Sequence, residues 1–293
     1  MRENKQSFWK NSIEKYRNKV AFRRFISLFS TDVLVRGANF LLIPLFLYLM
    51  TRDEFGVYGY LYSFAMAMSL VFTFGFHASV PKLYADTKDD KQTQGSMLFT
   101  LSLTLIVGLV LIFSLISLTG IDEYFFGLIN RNEEMKNFSY DTYRPYLLVA
   151  MASMVLSNLL TYYFVAAEKI KNIQAFNLIR FFFANGLAIL LLYTAPDADA
   201  ALLRLSVTYI VELLLCCVFL FFLCKNFTFK FSKYYLYKGL KIGLPLSFVA
   251  LLNAITNFGD KHFVMIYCGA AIVGVYNLAS LLATIPVIVY QSF

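Results

Sequence analysis

Long apolar runs alternate with short polar segments along the whole chain. Eight of them are long enough to count, at about 25–50, 58–76, 96–119, 145–167, 175–194, 202–223, 243–268 and 271–291. The run from Ser96 to Thr119 contains no charged residue. About 20 such residues cross a bilayer as a helix. The pattern predicts an all-α integral membrane protein with about eight transmembrane helices. Residues 1–24 are polar and basic, and no small-residue cleavage site follows a short apolar core, so the first apolar run is expected to act as an uncleaved anchor. Within that stretch Trp9, Ile13, Tyr16 and Val20 recur at helical spacing, with Lys10, Lys15 and Lys19 elsewhere on the wheel. This suits a helix lying on an anionic membrane surface, with a basic tail as the alternative.

The runs carry a weak internal repeat. Gly56-Val57-Tyr58 follows the first run after a short turn, and Gly274-Val275-Tyr276 follows the seventh in the same way. At the offset that relates these two copies, Asn39 aligns with Asn257 and Phe40 with Phe258. Six helices separate the copies, an even number, so both copies run in the same direction through the membrane. Such parallel repeats are related by an axis along the membrane normal. The expected organisation is a basic N-terminal segment (1–24), a first six-helix bundle (25–224), a basic cytoplasmic linker (225–242), and the first two helices of an incomplete second bundle (243–293).

Composition agrees with this pattern. The chain is 59% hydrophobic and 15% charged, where a soluble domain carries about 25% charge. The net charge of +8 would suggest nucleic acid in a soluble protein. Here the cations lie between apolar runs, and no nucleic-acid partner is expected. With the N-terminus in the cytoplasm, the cytoplasmic segments hold the eight Lys and Arg before Phe25, then Lys82, Lys88 and Lys91, then Lys169 and Lys171, and finally Lys225, Lys230, Lys233, Lys238 and Lys241. The external segments hold Arg52, Arg131, Lys136, Arg144 and Arg204. The excess inside follows the rule that orients membrane proteins. The four cysteines have no metal or pairing pattern and read as small apolar side chains. The long external segment Gly120 to Arg144 could meet a sugar, but such a segment is more often a solvated cap.

No catalytic motif is present, and the only histidines are His77 and His262. Neither a metal site nor a cofactor is expected, and the chain does not read as an enzyme. The informative residues are ionisable groups inside apolar runs. A charge at the bilayer centre costs about 2.5–3.5 kcal/mol on insertion scales, so such groups face a cavity or a partner. Arg36, Arg180 and Lys261 are the three cations inside predicted helices, Arg204 at the edge of the sixth run being counted with the external segments. In the first helix Asp32, Arg36 and Asn39 share a face, and Asp32 and Arg36 at four-residue spacing could pair with each other. In the seventh, Asn253, Thr256, Asn257 and Asp260 share a face beside Lys261 and His262. This is the most polar patch within any run, read as a substrate or ion cavity or as a polar contact between helices. Arg180 either lines a cavity or reaches back to the cytoplasmic surface. Ser206, Tyr209, Glu212 and Cys216 form a stripe on the sixth helix. There Glu212 is either a proton- or sodium-linked carboxylate or a protonated hydrogen-bonding group. The stripes Ser153/Ser157/Thr161 and Ser96/Thr100/Thr104 suit helix packing.

Leu42-Ile-Pro44-Leu, Thr51-Arg52-Asp-Glu54-Phe-Gly56-Val-Tyr58, Gly243-Leu-Pro245-Leu, Gly259-Asp260-Lys261 and Gly274-Val-Tyr276-Asn-Leu-Ala279 together resemble the O-antigen type of polysaccharide flippase. These flippases belong to the multidrug/oligosaccharidyl-lipid/polysaccharide exporter superfamily. Family members often carry an Asp-Arg or similar pair where Asp260-Lys261 stands here. The resemblance implies a MATE-like fold in which two bundles rock about a central cavity in the bacterial inner membrane. It also implies export of an undecaprenyl-pyrophosphate-linked oligosaccharide, and a chain truncated within its second bundle. Arg36, Arg180 and Lys261, with Asn39 and Asn257, are then expected to bind the lipid pyrophosphate. Asp260, Glu212 and Asp32 are expected to couple transport to H+ or Na+, or to hold the cations when the site is empty. Expected partners are the lipid-linked oligosaccharide, membrane lipid and glycan polymerase machinery. Three other readings stand beside this one: a cation-coupled exporter of drugs or metabolites, a membrane glycan polymerase or ligase, and an inactive fragment.

Overall fold

The computed structural model describes residues 34–35, 37–87, 90–132, 135, 138–224 and 230–291. Asp32, Arg36 and the basic segment 1–24 lie outside the described residues, as does the side chain of Asn257. Among the described residues the chain is all helical. A short helix, α1 (Gly37–Leu49), leads to α2 (Arg52–Phe72), α3 (Phe76–Thr87) and α4 (Lys91–Thr119). Then come α5 (Ile121–Gly127), a single 3-10 turn (Leu128–Arg131), α6 (Tyr140–Ala166), α7 (Ile170–Thr194), α8 (Ala200–Cys224) and α9 (Lys233–Gln291). Among the described residues six helices are long and apolar enough to cross a membrane. The protein is an all-α, multi-pass integral membrane protein. Large apolar side chains such as Leu111, Leu115, Leu118, Phe221 and Phe222 remain exposed on the helix surfaces, which suits contact with lipid.

Local chemistry accounts for the boundaries. The second run was expected from residue 58, yet α2 starts at Arg52. Thr51 and Glu54 form a capping box, Thr51 Oγ1 accepting from Glu54 N at 3.2 Å and Glu54 Oε2 accepting from Thr51 N at 2.8 Å. Asp90 caps α4 by accepting from Gln92 N at 2.9 Å. Gly120 closes α4 in the left-handed conformation at φ 67°. The apolar runs expected at 243–268 and 271–291 form one long element with a break at Gly269, where φ is 79° and ψ 177°. A side chain rarely adopts that backbone, which is why a glycine stands at the corner.

α2 is the centre of the molecule and packs against α9, α6, α8 and α4. Its buried face (Tyr60, Leu61, Ala65, Phe72) joins Leu98, Leu101, Leu147, Met151, Leu160 and Tyr163 in the main core. A smaller cluster of Phe46, Met50, Phe55, Ala188 and Leu192 ties α1 to α2 and α7. The stripe Ser96/Thr100 holds the start of the last element: Ser96 Oγ donates to Lys230 O at 2.6 Å, and Ser232 N donates to Thr100 Oγ1 at 2.9 Å.

The segment Gly120 to Arg144 is not a loose cap. Asp122 is buried, meets Arg144 at 2.9 Å and accepts from the Tyr140 hydroxyl at 3.1 Å. The Phe126 ring stacks on Tyr140 at 4.2 Å. Phe125 and Phe126 give α5 an apolar side, and burying that side against Phe64 and Phe258 seats it on α2 and α9.

The repeated glycines meet in space. An added Cβ at Gly56 would lie 1.8 Å from the Ala270 carbonyl oxygen, and one at Gly274 would lie 3.5 Å from Gly56 Cα. A Cβ at Gly59 would strike the Asn277 side chain at 2.3 Å. Gly56 and Gly274 are equivalent positions of the repeat, and so are Gly59 and Asn277.

Candidate functional site

Ionisable groups are brought together along two sides of α2. On one side lie α7 and α8. Arg180 sits ten residues into α7, about 15 Å from its start at the helical rise per residue. Its Nη1 meets Glu212 Oε1 at 2.8 Å and donates to Ser157 Oγ at 3.3 Å. The guanidinium is therefore turned to a carboxylate in the middle of α8. The Arg180 side chain is 34% exposed and that of Glu212 6%, so the acid of the pair is the more deeply enclosed partner. Tyr209 and Cys216, above and below Glu212 on the same stripe, are buried. Cys216 Sγ lies 3.8 Å from Ser153 O. Further along α7, Asn185 Nδ2 donates to the exposed Asn39 Oδ1 at 3.4 Å.

On the other side lies α9. Lys261 Nζ donates to Ser63 Oγ at 2.7 Å, and Ser63 in turn donates to Gly59 O at 2.7 Å. The exposed Asp260 accepts from the Tyr276 hydroxyl at 2.8 Å, joining the two halves of α9 across the Gly269 corner. Asn253 and Thr256 are exposed on the same face as Asp260. His262 is buried, its Nδ1 2.7 Å from the Tyr60 hydroxyl and its ring 3.9 Å from Phe125 in a parallel stack. Among the described residues no group of three or more His, Cys, Asp or Glu could hold a metal ion.

A family model described as polysaccharide biosynthesis protein matches residues 21–293. The chain belongs to the polysaccharide biosynthesis protein family. Members of this family are generally transporters or flippases rather than enzymes. No match was found among curated proteins or among solved structures.

Among the described residues, those expected to act in this polysaccharide biosynthesis protein fall into two groups, with no hydrogen bond or ion pair between them. Arg180, Glu212 and Asn39 belong with α1, α7 and α8, while Lys261 and Asp260 belong with α9. Two features lay outside the sequence reading. The first is Arg204, assigned there to an external segment. It stands in the second turn of α8, its guanidinium 3.6 Å from the Phe46 ring centre and 4.0 Å from that of Tyr58. It also points at Met50 Sδ at 3.8 Å. Among the described residues no carboxylate is within ion-pair distance of it. Aromatic faces hold this cation in place of an acid. The second is the pairing of His262 with Tyr60. The sequence signal for both was available only as aromatics near a basic residue, a pattern that recurs throughout a chain with 31 Phe and 20 Tyr.

Proposed function

We propose that this chain carries a lipid-linked oligosaccharide across the bacterial inner membrane by alternating access, with its N-terminus in the cytoplasm. Membership of the polysaccharide biosynthesis family supports the substrate class. The observation that carries the reading is Arg180, a cation deep in the helical region, partly exposed, and held by a carboxylate that an incoming anion can replace. A lipid pyrophosphate brings negative charge into a region of low dielectric, where charge-assisted hydrogen bonds to guanidinium and ammonium groups substitute for water. Arg180 and Lys261, with Arg36, Asn39 and Asn257, receive the headgroup. Glu212 holds Arg180 between cycles, and Glu212, Asp260 and Asp32 take up H+ or Na+. The Gly56–Gly274 contact lies where two parallel bundles meet and rock.

The test is transfer of a fluorescent lipid-linked oligosaccharide between leaflets of proteoliposomes by Arg180→Gln and Lys261→Gln variants. Each substitution removes a charge-assisted contact worth about 1.5–3 kcal/mol, so transfer is expected to fall about 10- to 100-fold while the protein stays folded. Wild-type transfer by both folded variants overturns the reading. Intact glycan polymerisation alongside lost transfer would set the flippase apart from a polymerase.

A further inference from the structure

The seam between α2 and the first half of α9 is polar in a way that packing does not demand. Its members are Tyr60, Ser63, Lys261 and His262. The repeat supplies a comparison inside the same chain. At the offset that relates Gly56 to Gly274, Lys261 corresponds to Ile43, His262 to Pro44, Tyr60 to Leu278 and Ser63 to Leu281. Ile43 and Leu278 both pack against the apolar cluster of Phe46, Met50 and Phe55. The equivalent positions on the other side are thus filled with aliphatic groups, so the polar groups of this seam serve something besides contact.

His262 is held from three sides. Tyr60 on α2 meets its Nδ1 at 2.7 Å, Phe125 on α5 stacks on its ring at 3.9 Å, and Phe258 on α9 lies at 6.0 Å. The ionisable groups around it are few. From α2 there is the Tyr60 hydroxyl. From α9 itself there are Lys261, which is drawn to Ser63, and Asp260, which is drawn to Tyr276. From α5 there are Asp122, which is engaged by Arg144 and Tyr140, and Glu123, which meets Arg144 at 3.2 Å. Tyr60 is fully buried among Phe126, Phe258 and His262. Its hydroxyl proton has one acceptor among the described residues, His262 Nδ1. The tautomer follows from that need: Nε2 carries the hydrogen and Nδ1 accepts. A second proton on the ring turns Nδ1 into a donor. Tyr60 must then accept, and its own hydrogen is left without a partner in an apolar cluster, a costly arrangement. Neutral His262 therefore fits the closed seam and protonated His262 does not.

We propose that His262 is a proton-binding site whose occupation loosens the seam between α2, α5 and α9. No bond other than that of the proton to Nδ1 forms, and Tyr60 keeps its own proton. The proposal deepens the transport reading and rests on it for any consequence in export, naming the proton as the ion and adding His262 to the groups that take it up.

The chain has just two histidines, so 15N-histidine spectra of the full chain in lipid nanodiscs, with His77→Asn as the assigning variant, follow His262 directly. The pH range to scan is about 5 to 8. A paired readout is the distance between spin labels at Tyr124→Cys on α5 and Tyr267→Cys on α9, both exposed positions, in a chain whose native cysteines are alanine. The expected result is a single protonation of His262 with a change in label distance at the same midpoint. His262→Gln loses the change, and Tyr60→Phe shows the acid-state distance already at neutral pH. A His262 signal that stays in one protonation state across the range overturns the proposal, as does an equal distance change in His262→Gln. Neither readout requires glycan transfer. Both shifts without transfer would sink the transport reading and leave the proton site standing, and transfer without the shifts would do the reverse.

Discussion

Replacing Glu212 by Ala removes the carboxylate 2.8 Å from Arg180 and leaves the guanidinium with Ser157 as its remaining hydrogen-bond partner at 3.3 Å. Breaking a fully buried ion pair from one side costs about 3–5 kcal/mol, because a charge stays behind without its partner. Arg180 is 34% exposed, so the pair is not fully enclosed, and the expected loss is about 2–3 kcal/mol. Removing both charges leaves no orphan. The double variant Arg180→Leu/Glu212→Leu is expected within about 1 kcal/mol of wild type. SDS-titration unfolding in mixed micelles measures Glu212→Ala, Arg180→Leu and the double variant on one scale. Single variants that each cost no more than the double would refute the pair. Glycan transfer then separates scaffold from site. If Arg180 receives the anion, the double variant folds and fails to transfer; if it transfers at the wild-type rate, the pair only braces α7 against α8.

Three further outcomes follow from changes at glycines, at a helix cap and at a caged cation. Gly56→Ala places a Cβ 1.8 Å from the Ala270 carbonyl oxygen, which cannot rotate away, so a loss of about 1–3 kcal/mol is expected. Gly186→Ala meets nothing within 4 Å and should gain about 0.5–1 kcal/mol; the same SDS titration reads both signs. Hydrogen bonds from the Thr93 hydroxyl and Gln92 N hold the Asp90 carboxyl below its usual range. A lowered folded value means that the cap stabilises α4 above the ordinary carboxylate range and fades as pH falls through the folded value. Hydrogen exchange at the start of α4 should therefore separate Asp90→Ala from wild type at neutral pH, and the two should converge in acid. Arg204→Lys keeps the charge but loses the flat stack between Phe46 and Tyr58, and should lower the unfolding midpoint by the equivalent of about 1 kcal/mol.

Much of the scaffold was legible without coordinates, because membrane crossing is a local property. A run of about 20 apolar residues must satisfy its backbone within itself, and only a helix does so along one segment. The chain also writes several of its boundaries locally, in Thr51 and Glu54 ahead of α2, Asp90 ahead of α4, and Gly120 after it. Gly269 stands between the expected seventh and eighth spans, where the structure has its corner. The offset between the two Gly-Val-Tyr copies could be read from the sequence, though not that Gly56 and Gly274 would lie against each other.

Which polar groups share a site is a question of long-range contact. Arg180 and Glu212 were each conspicuous as charges inside apolar runs, but their union depends on how α7 packs on α8. Arg204 looked like an external charge because it falls just inside α8, and the rings that hold it come from α1 and α2. His262 is far from Tyr60 along the chain, and only the packing of α9 on α2 brings the two within hydrogen-bonding distance. The sequence by itself determined that the chain is helical and membrane-spanning, and where several helices begin and end, since hydrophobicity and capping act on each segment separately. Tertiary structure alone decided which buried charges are paired, caged or left facing open space, since that depends on what the neighbouring helix presents.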